Sequence, residues 1–276
     1  MIYLAGLGIA FLSIVASILH LHQSIFSYFD LVAFFVVLGG TGAVAVITLP
    51  WDCKAEIKDS LKKLAFSRAS DQQALLTETF QVIESIGNGR LHIEITTPGL
   101  PGEVLKHGCE LIRLGFDSDK IELILSEKIK HAVQRSYKVA NAFRSLAKYP
   151  PAFGLVGTVL GLVSLMRALA DSQGAQETGL RMAVALVATL YGLLLSNLVI
   201  NPAGEQVSRL ASEVKKDSGI ALQGILLASE RTSLLESQEL LNCFVSPEFK
   251  VNFLSFGGDS AAQAAASDGV KEGAAA

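Results

Sequence analysis

Apolar and polar positions are distributed unevenly along this chain. The stretch from Met1 to about Leu19 carries no charged side chain, and neither does Leu31 to Leu49, which is bounded by Asp30 and Asp52. After a long gap come two more: one between Lys148 and Arg167, opening on Tyr149-Pro150-Pro151, and one from Met182 to about Ile200, beyond which the next charge is Glu205. A helix needs roughly 20 apolar residues to cross a hydrocarbon core of about 30 Å, because backbone groups left unpaired in lipid are costly. All four stretches meet that test and predict two transmembrane hairpins. The first lacks the basic n-region of a removable leader and is read as a retained helix.

Elsewhere the period changes. Ile121, Leu125, Ile129, Ala132, Val139, Phe143 and Leu146 recur at spacings of three, four or seven. That pattern predicts an amphipathic helix, capped by Asp117 or Ser118, that runs directly into the third span. Ile57, Leu61 and Leu64, then Leu75, Leu76, Phe80 and Ile83, predict two more helices split near Ser67 to Asp71, and Thr96-Thr97-Pro98-Gly99 breaks the pattern again. Val207 to Leu241 reads as helical, and Gly257 to Ala276, rich in Gly, Ala, Ser and Asp, is expected to be disordered. The predicted fold class is an all-α membrane protein with four transmembrane helices in two hairpins and a helical cytoplasmic domain. Its segments are the first hairpin (1–51), a cytoplasmic helical domain (52–148), the second hairpin (149–202), a C-terminal helical region (203–256) and the tail (257–276).

Composition agrees with membrane residence: 276 residues, 50% hydrophobic and 18% charged, with a mean hydropathy of +0.43. Lys54, Lys58, Lys62, Lys63 and Arg68 follow the second span, and Lys128, Lys130, Arg135, Lys138, Arg144 and Lys148 precede the third. By the positive-inside rule these flanks are cytoplasmic, which puts both turns outside and both termini inside. The net charge of -3 and the lack of a basic run interleaved with aromatics point away from nucleic acid. Cys53, Cys109 and Cys243 have neither disulfide nor zinc spacing and read as reduced thiols. No motif for hydrolysis, phosphate binding or redox chemistry occurs, so the chain is read as a non-enzyme without metal or cofactor.

The spans carry the informative chemistry. Gly154, Gly157 and Gly161 give the third span a small-residue face that lets helices approach closely, with Gly157 and Gly161 at GxxxG spacing. Thr189, Gly192 and Ser196 share one side of the fourth span, and Thr158 lies beside the glycine face. These hydroxyls either line a wet path or bond back to carbonyls of the preceding turn. None of the four spans contains Asp, Glu, Lys or Arg, whereas proton relays in membranes rely on ionisable groups. Ion conduction would therefore need a carboxylate from a partner helix.

The runs 151–163 (Pro-Ala-Phe-Gly-Leu-Val-Gly-Thr-Val-Leu-Gly-Leu-Val) and 182–192 (Met-Ala-Val-Ala-Leu-Val-Ala-Thr-Leu-Tyr-Gly) resemble the third and fourth helices of the MotA family of flagellar stator subunits. The order of hairpins and insert also fits, over roughly residues 1 to 250. The resemblance implies five copies around two helices of a MotB-type single-span partner, whose Asp carries the ion, in the bacterial inner membrane. It implies that Thr158 and Thr189 lie beside that carboxylate, that Pro151 and Pro202 end helices that flex on protonation, and that Glu94 meets the rotor switch-complex protein FliG. The family's basic rotor contact falls on Ile86, leaving Arg90 as its substitute only if the contact tolerates a shift of one helical turn. Arg90 and Glu94 also fit a solvent-exposed i,i+4 pair. The ExbB and TolQ energisers of periplasmic or outer-membrane systems are related alternatives with a different span order, and a membrane scaffold without ion flux is another. Sodium-type relatives place a second Thr where this chain has Ala188, so a proton is expected in preference to sodium; Ala188 also suits close packing.

Overall fold

In the computed structural model the chain is described over residues 2–20, 28–53, 57–58, 72–89, 95–170 and 175–245. Among the described residues every regular element is helical: α1 (Ile2–His20), α2 (Leu31–Thr48), α3 (Gln72–Gly87), α4 (Leu100–Arg113), α5 (Ser118–Leu146), α6 (Tyr149–Ala170), α7 (Ala175–Leu194), a π-helical segment (Leu195–Ile200), α8 (Asn201–Ser229) and α9 (Leu234–Cys243). A 3-10 turn, Trp51–Cys53, follows α2. The chain divides into two compact units, Met1–Ala69 with Val133–Ser212 and Ser70–Ala132 with Glu213–Ala276, so the division falls inside α5 and inside α8.

The first unit packs α2 against α6 and α7. Asp30 caps α2 by accepting the Ala33 amide at 2.7 Å, which satisfies a backbone donor that the helix start leaves orphaned. The Tyr191 phenol of α7 fixes the same point, donating to the Tyr28 carbonyl at 2.6 Å and accepting the Asp30 amide at 3.2 Å. Among the described residues three stretches are long and apolar enough to cross a membrane: α2, one within 118–170 and one within 181–229; the apolar stretch of α1, Ala5–His20, is shorter. Ile47 is 80% exposed, and Phe35, Leu155 and Leu186 each more than 60%. Such an apolar girdle suits contact with lipid or other membrane chains.

Two boundaries differ from expectation. The amphipathic helix does not run straight into the third span: α5 stops at Leu146, and Ala147 and Lys148 form a turn before α6. The cause is Pro150 and Pro151, which have no N–H to give the carbonyls of Leu146 and Ala147 four residues back. α7 begins at Ala175 rather than Met182, so Arg181 lies within it, and the fourth span ends through the π segment directly into α8.

The second unit gathers α3, α4, the first part of α5, the last part of α8, and α9. Leu75, Leu76, Leu105, Leu125, Ile220 and Leu241 are almost wholly buried in it. α4 is an addition to the sequence reading, with Pro101 in its first turn, where the missing N–H costs nothing. The helical region expected over Val207 to Leu241 is two helices: Arg231 adopts a positive φ of 52° just past α8, and Ser233 caps α9 by accepting the Glu236 amide at 3.3 Å. Of the helix expected around Ile57, Leu61 and Leu64 only 57–58 are described, and the tail expected to be disordered lies outside the described residues.

Candidate functional site

The site is built on the contact between α6 and α7. Gly154, Gly157 and Gly161 are buried along one face of α6. A methyl on Gly154 would lie 3.0 Å from Cα of Thr189 and 3.1 Å from the Ala188 carbonyl oxygen; on Gly161 it would lie 2.6 Å from Cβ of Ala185; on Gly157 it would run into the Ala188 methyl. The helices thus touch backbone to backbone, which only small residues permit. Ala188 is fully buried in this contact, in a cluster with Ala33 and Val187 against which Tyr191 packs. Its missing hydroxyl is therefore accounted for by packing.

The hydroxyls divide three ways. Thr158, partly exposed, donates to the Leu155 carbonyl of its own helix at 2.7 Å, so its lone pairs alone remain for other partners. Thr189 Oγ1, beside Gly154, is buried and makes no hydrogen bond among the described residues; Thr41 Oγ1 of α2 is in the same state. A buried hydroxyl without a partner is expensive, on the order of 1–3 kcal/mol, a cost that Thr189 and Thr41 both carry among the described residues. Ser196, 5% exposed, donates to the Ala147 carbonyl.

That last bond joins two positions that the sequence reading kept apart. The Ala147 carbonyl is the group that Pro151 cannot serve, and the Ser196 hydroxyl supplies the donor instead. Beside it, Gly192 sits so close to Pro150 that an added methyl would strike the Pro150 carbonyl oxygen and lie 3.1 Å from Cα of Pro151. Pro151 is in the first turn of α6, at a helix end. Pro202 is not at a free helix end: the backbone stays helical from Ala175 to Ser229, and the π segment ends at Ile200, with Asn201 between it and Pro202. There the Asn201 amide reaches back to the Ser196 carbonyl, five residues earlier. A π-bulge absorbs the register change that a proline forces on the i→i−4 ladder.

Charge is confined to the ends of the spans. Arg181 donates to Ser164 Oγ at 2.6 Å across α6 and α7, beside a cavity of about 400 Å³ walled by Val36, Leu160 and Val184. At the opposite end Arg144 of α5 forks onto Glu205 of α8, at 2.9 and 3.0 Å, and Lys138 reaches Asp52 at 2.6 Å. The hydrogen bond from Lys138 holds the Asp52 carboxyl below its ordinary pKa, as that from Arg144 does for Glu205. Among the described residues no group of three or more His, Cys, Asp or Glu side chains is placed to hold a metal.

In the second unit Ile86 is 9% exposed on the apolar face of α3, so this position has no place for an exposed basic side chain. Arg90 and Glu94 lie outside the described residues. Sequence reasoning missed Glu78 of α3, which accepts the amides of Thr96 at 3.0 Å and Thr97 at 2.9 Å and the Thr97 hydroxyl at 2.5 Å. It also missed the Tyr191 and Arg181 bonds, which no local pattern announces.

Residues 97–218 match the family model described as MotA/TolQ/ExbB proton channel family. The chain is 32% identical to the protein named YtxD of Bacillus subtilis (strain 168) over 205 residues, 73% of this chain and 71% of that one. It is 25% identical to Motility protein A of Treponema phagedenis over 200 residues, 72% and 76% of the two chains. In fold it resembles a chain of the flagellar MotAB stator complex from Bacillus subtilis, with a TM-score of 0.77 at 20% identity, covering 90% of this chain and 98% of the other.

Proposed function

This chain belongs to the MotA/TolQ/ExbB proton channel family, and from that premise we propose that it is the ion-conducting stator subunit of a bacterial flagellar motor, turning ion flow into torque. Relatives named Motility protein A support the motor within the family over the energisers of other systems. The observation that carries the reading is the buried Thr189 hydroxyl, unpartnered among the described residues, at a backbone-to-backbone helix contact within apolar runs (149–166 and 182–200) that contain no carboxylate. Such a site needs an acid from outside the chain. A MotB-type helix supplies it as an Asp, with Thr189 and the lone pairs of Thr158 beside it, inside a ring of five copies in the inner membrane. Ser196 and Pro151 hold one end of that path, and the π segment before Pro202 is the place where α7 yields when the partner's Asp takes up its proton. The ion is a proton, as the family's description supports. The apolar α1 serves as a fourth span, both termini are cytoplasmic, and Glu94, with Arg90, meets FliG on the rotor.

Deleting the gene should abolish swimming while filaments still assemble, and Thr189→Val should do the same with the complex intact in the membrane. A reporter fused after Lys63 should be cytoplasmic and one near Gly174 periplasmic. Normal swimming on deletion would refute the stator role.

A further inference from the structure

The cavity of about 400 Å³ lies where α2, α6 and α7 meet, at the end of the spans that carries Arg181. Val32, Val36, Leu160 and Val184 wall it, and of its described lining residues only Ser164 and Arg181 are polar. Those two sit together, with Arg181 Nη1 donating to Ser164 Oγ at 2.6 Å. Arg181 stands just before the charge-free run from Met182 to Ile200, and Ser164 stands one turn before Arg167 of α6, so both lie at the edge of the apolar zone. Ala188, also on the cavity wall, is about 10 Å further along α7. The cavity thus has a cationic, hydroxyl-bearing mouth and an apolar depth. Its rim belongs to the apolar girdle, since Val32 is 62% and Leu160 52% exposed.

We propose that this cavity is a phospholipid site, with an acyl chain in the apolar cleft and the phosphate held at Arg181 and Ser164. Each half follows from its chemistry. A guanidinium is planar and presents parallel N–H donors that match two phosphate oxygens, and a serine hydroxyl that accepts from Arg181 has its own O–H to donate. A cavity walled by aliphatic side chains stays dry, so what enters it at the depth of the bilayer core is hydrocarbon. With no carboxylate among the described lining residues, the mouth selects an anion. The volume falls within the range of about 300–1,000 Å³ typical of small-molecule sites. The site goes beyond the stator reading and stands on membrane residence alone, whether or not the chain drives a rotor.

The test uses the full chain purified from membranes in mild detergent, in the complex it forms, and counts bound lipid by native mass spectrometry as phosphatidylglycerol is titrated in. The wild type should bind it saturably. Arg181→Gln removes the charge and Val36→Phe fills the cleft, and each should weaken binding by about tenfold or more, the change expected from losing one charge-assisted bond. Arg167→Gln, off the cavity wall at the end of α6, should bind as the wild type does. Glycerol phosphate, which has the anion without the tails, should not displace the lipid. Undiminished binding in Arg181→Gln or in Val36→Phe, or an equal loss in Arg167→Gln, would overturn the proposal. Displacement by glycerol phosphate would overturn it too, since that marks a site for a free anion. If Arg181→Gln fails to accumulate, Val36→Phe decides by the same criterion.

Discussion

Replacing Gly161 tests the α6–α7 contact directly. The added methyl of Gly161→Ala would stand 2.6 Å from Cβ, 3.0 Å from Cα and 3.1 Å from N of Ala185. Carbon atoms rest about 3.5–4.0 Å apart, so the two helices must separate by on the order of 1 Å, a gap that forfeits up to half of each dispersion contact along the seam. Two of the three opposing atoms are backbone, so rotamer change offers no relief. Overpacking of this kind costs about 1–3 kcal/mol, against which alanine regains about 0.5–1 kcal/mol of helix propensity. Gly161→Ala should therefore be measurably less stable and Gly161→Val more so. Gly39→Ala in α2, which meets nothing within 4 Å, should be neutral or slightly stabilising. Thermal unfolding of the detergent-solubilised complex gives the order, and proton flux in vesicles should fall with it as Thr189 loses its setting against Gly154. A Gly161→Val complex as stable as wild type, or a Gly39→Ala complex equally damaged, would refute the reasoning.

Ser196→Ala leaves the Ala147 carbonyl without its donor at a buried site, and should cost about 1–3 kcal/mol in the same unfolding assay; no change would mean that the carbonyl finds another donor. Burial pushes the Glu78 carboxyl up, but its hydrogen bonds with Thr96 and then Thr97 outweigh this and hold it below the ordinary range. Its folded pKa is thus below the unfolded one, so the stabilisation is complete above the unfolded pKa and is lost as pH falls through the depressed value. Amide protection at Thr96 and Thr97 should accordingly drop on acidification and vanish at all pH values in Glu78→Ala; protection independent of pH would contradict a role for these hydrogen bonds. Swimming speed should ignore external sodium at fixed proton-motive force and collapse with a protonophore, and speed that tracks sodium would assign the ion wrongly.

The spans were legible because lipid imposes a long-range rule on local composition: α2 can be read as a charge-free run, and α6 as one that stays free of charge up to Arg167 in its last turn. The glycine face was legible for a related reason, since Gly154, Gly157 and Gly161 share a side of one helix by spacing alone. α4 was not, because Pro101 and Gly102 read as a continuation of the break at Thr96 to Gly99, and only the Thr97 carbonyl oxygen, which lies where a side chain on Gly102 would be, reveals why Gly102 belongs inside a helix. The π segment had no signal except Pro202, whose meaning depends on whether the helix behind it stops or continues. The functional consequence of Pro151 was equally hidden. A proline in the first turn of an isolated helix leaves nothing unsatisfied, but α5 ends immediately before α6, so the missing N–H orphans the carbonyl of Ala147. The donor that answers it, Ser196, is 49 residues away in sequence, on the helix that also carries Thr189. A change at the Thr189 end of α7 is therefore mechanically tied, through Gly192 and Ser196, to the turn that joins α5 to α6. On the proposed stator reading it is this tie, and not any flexibility of proline itself, that would carry a protonation event within the membrane to α5.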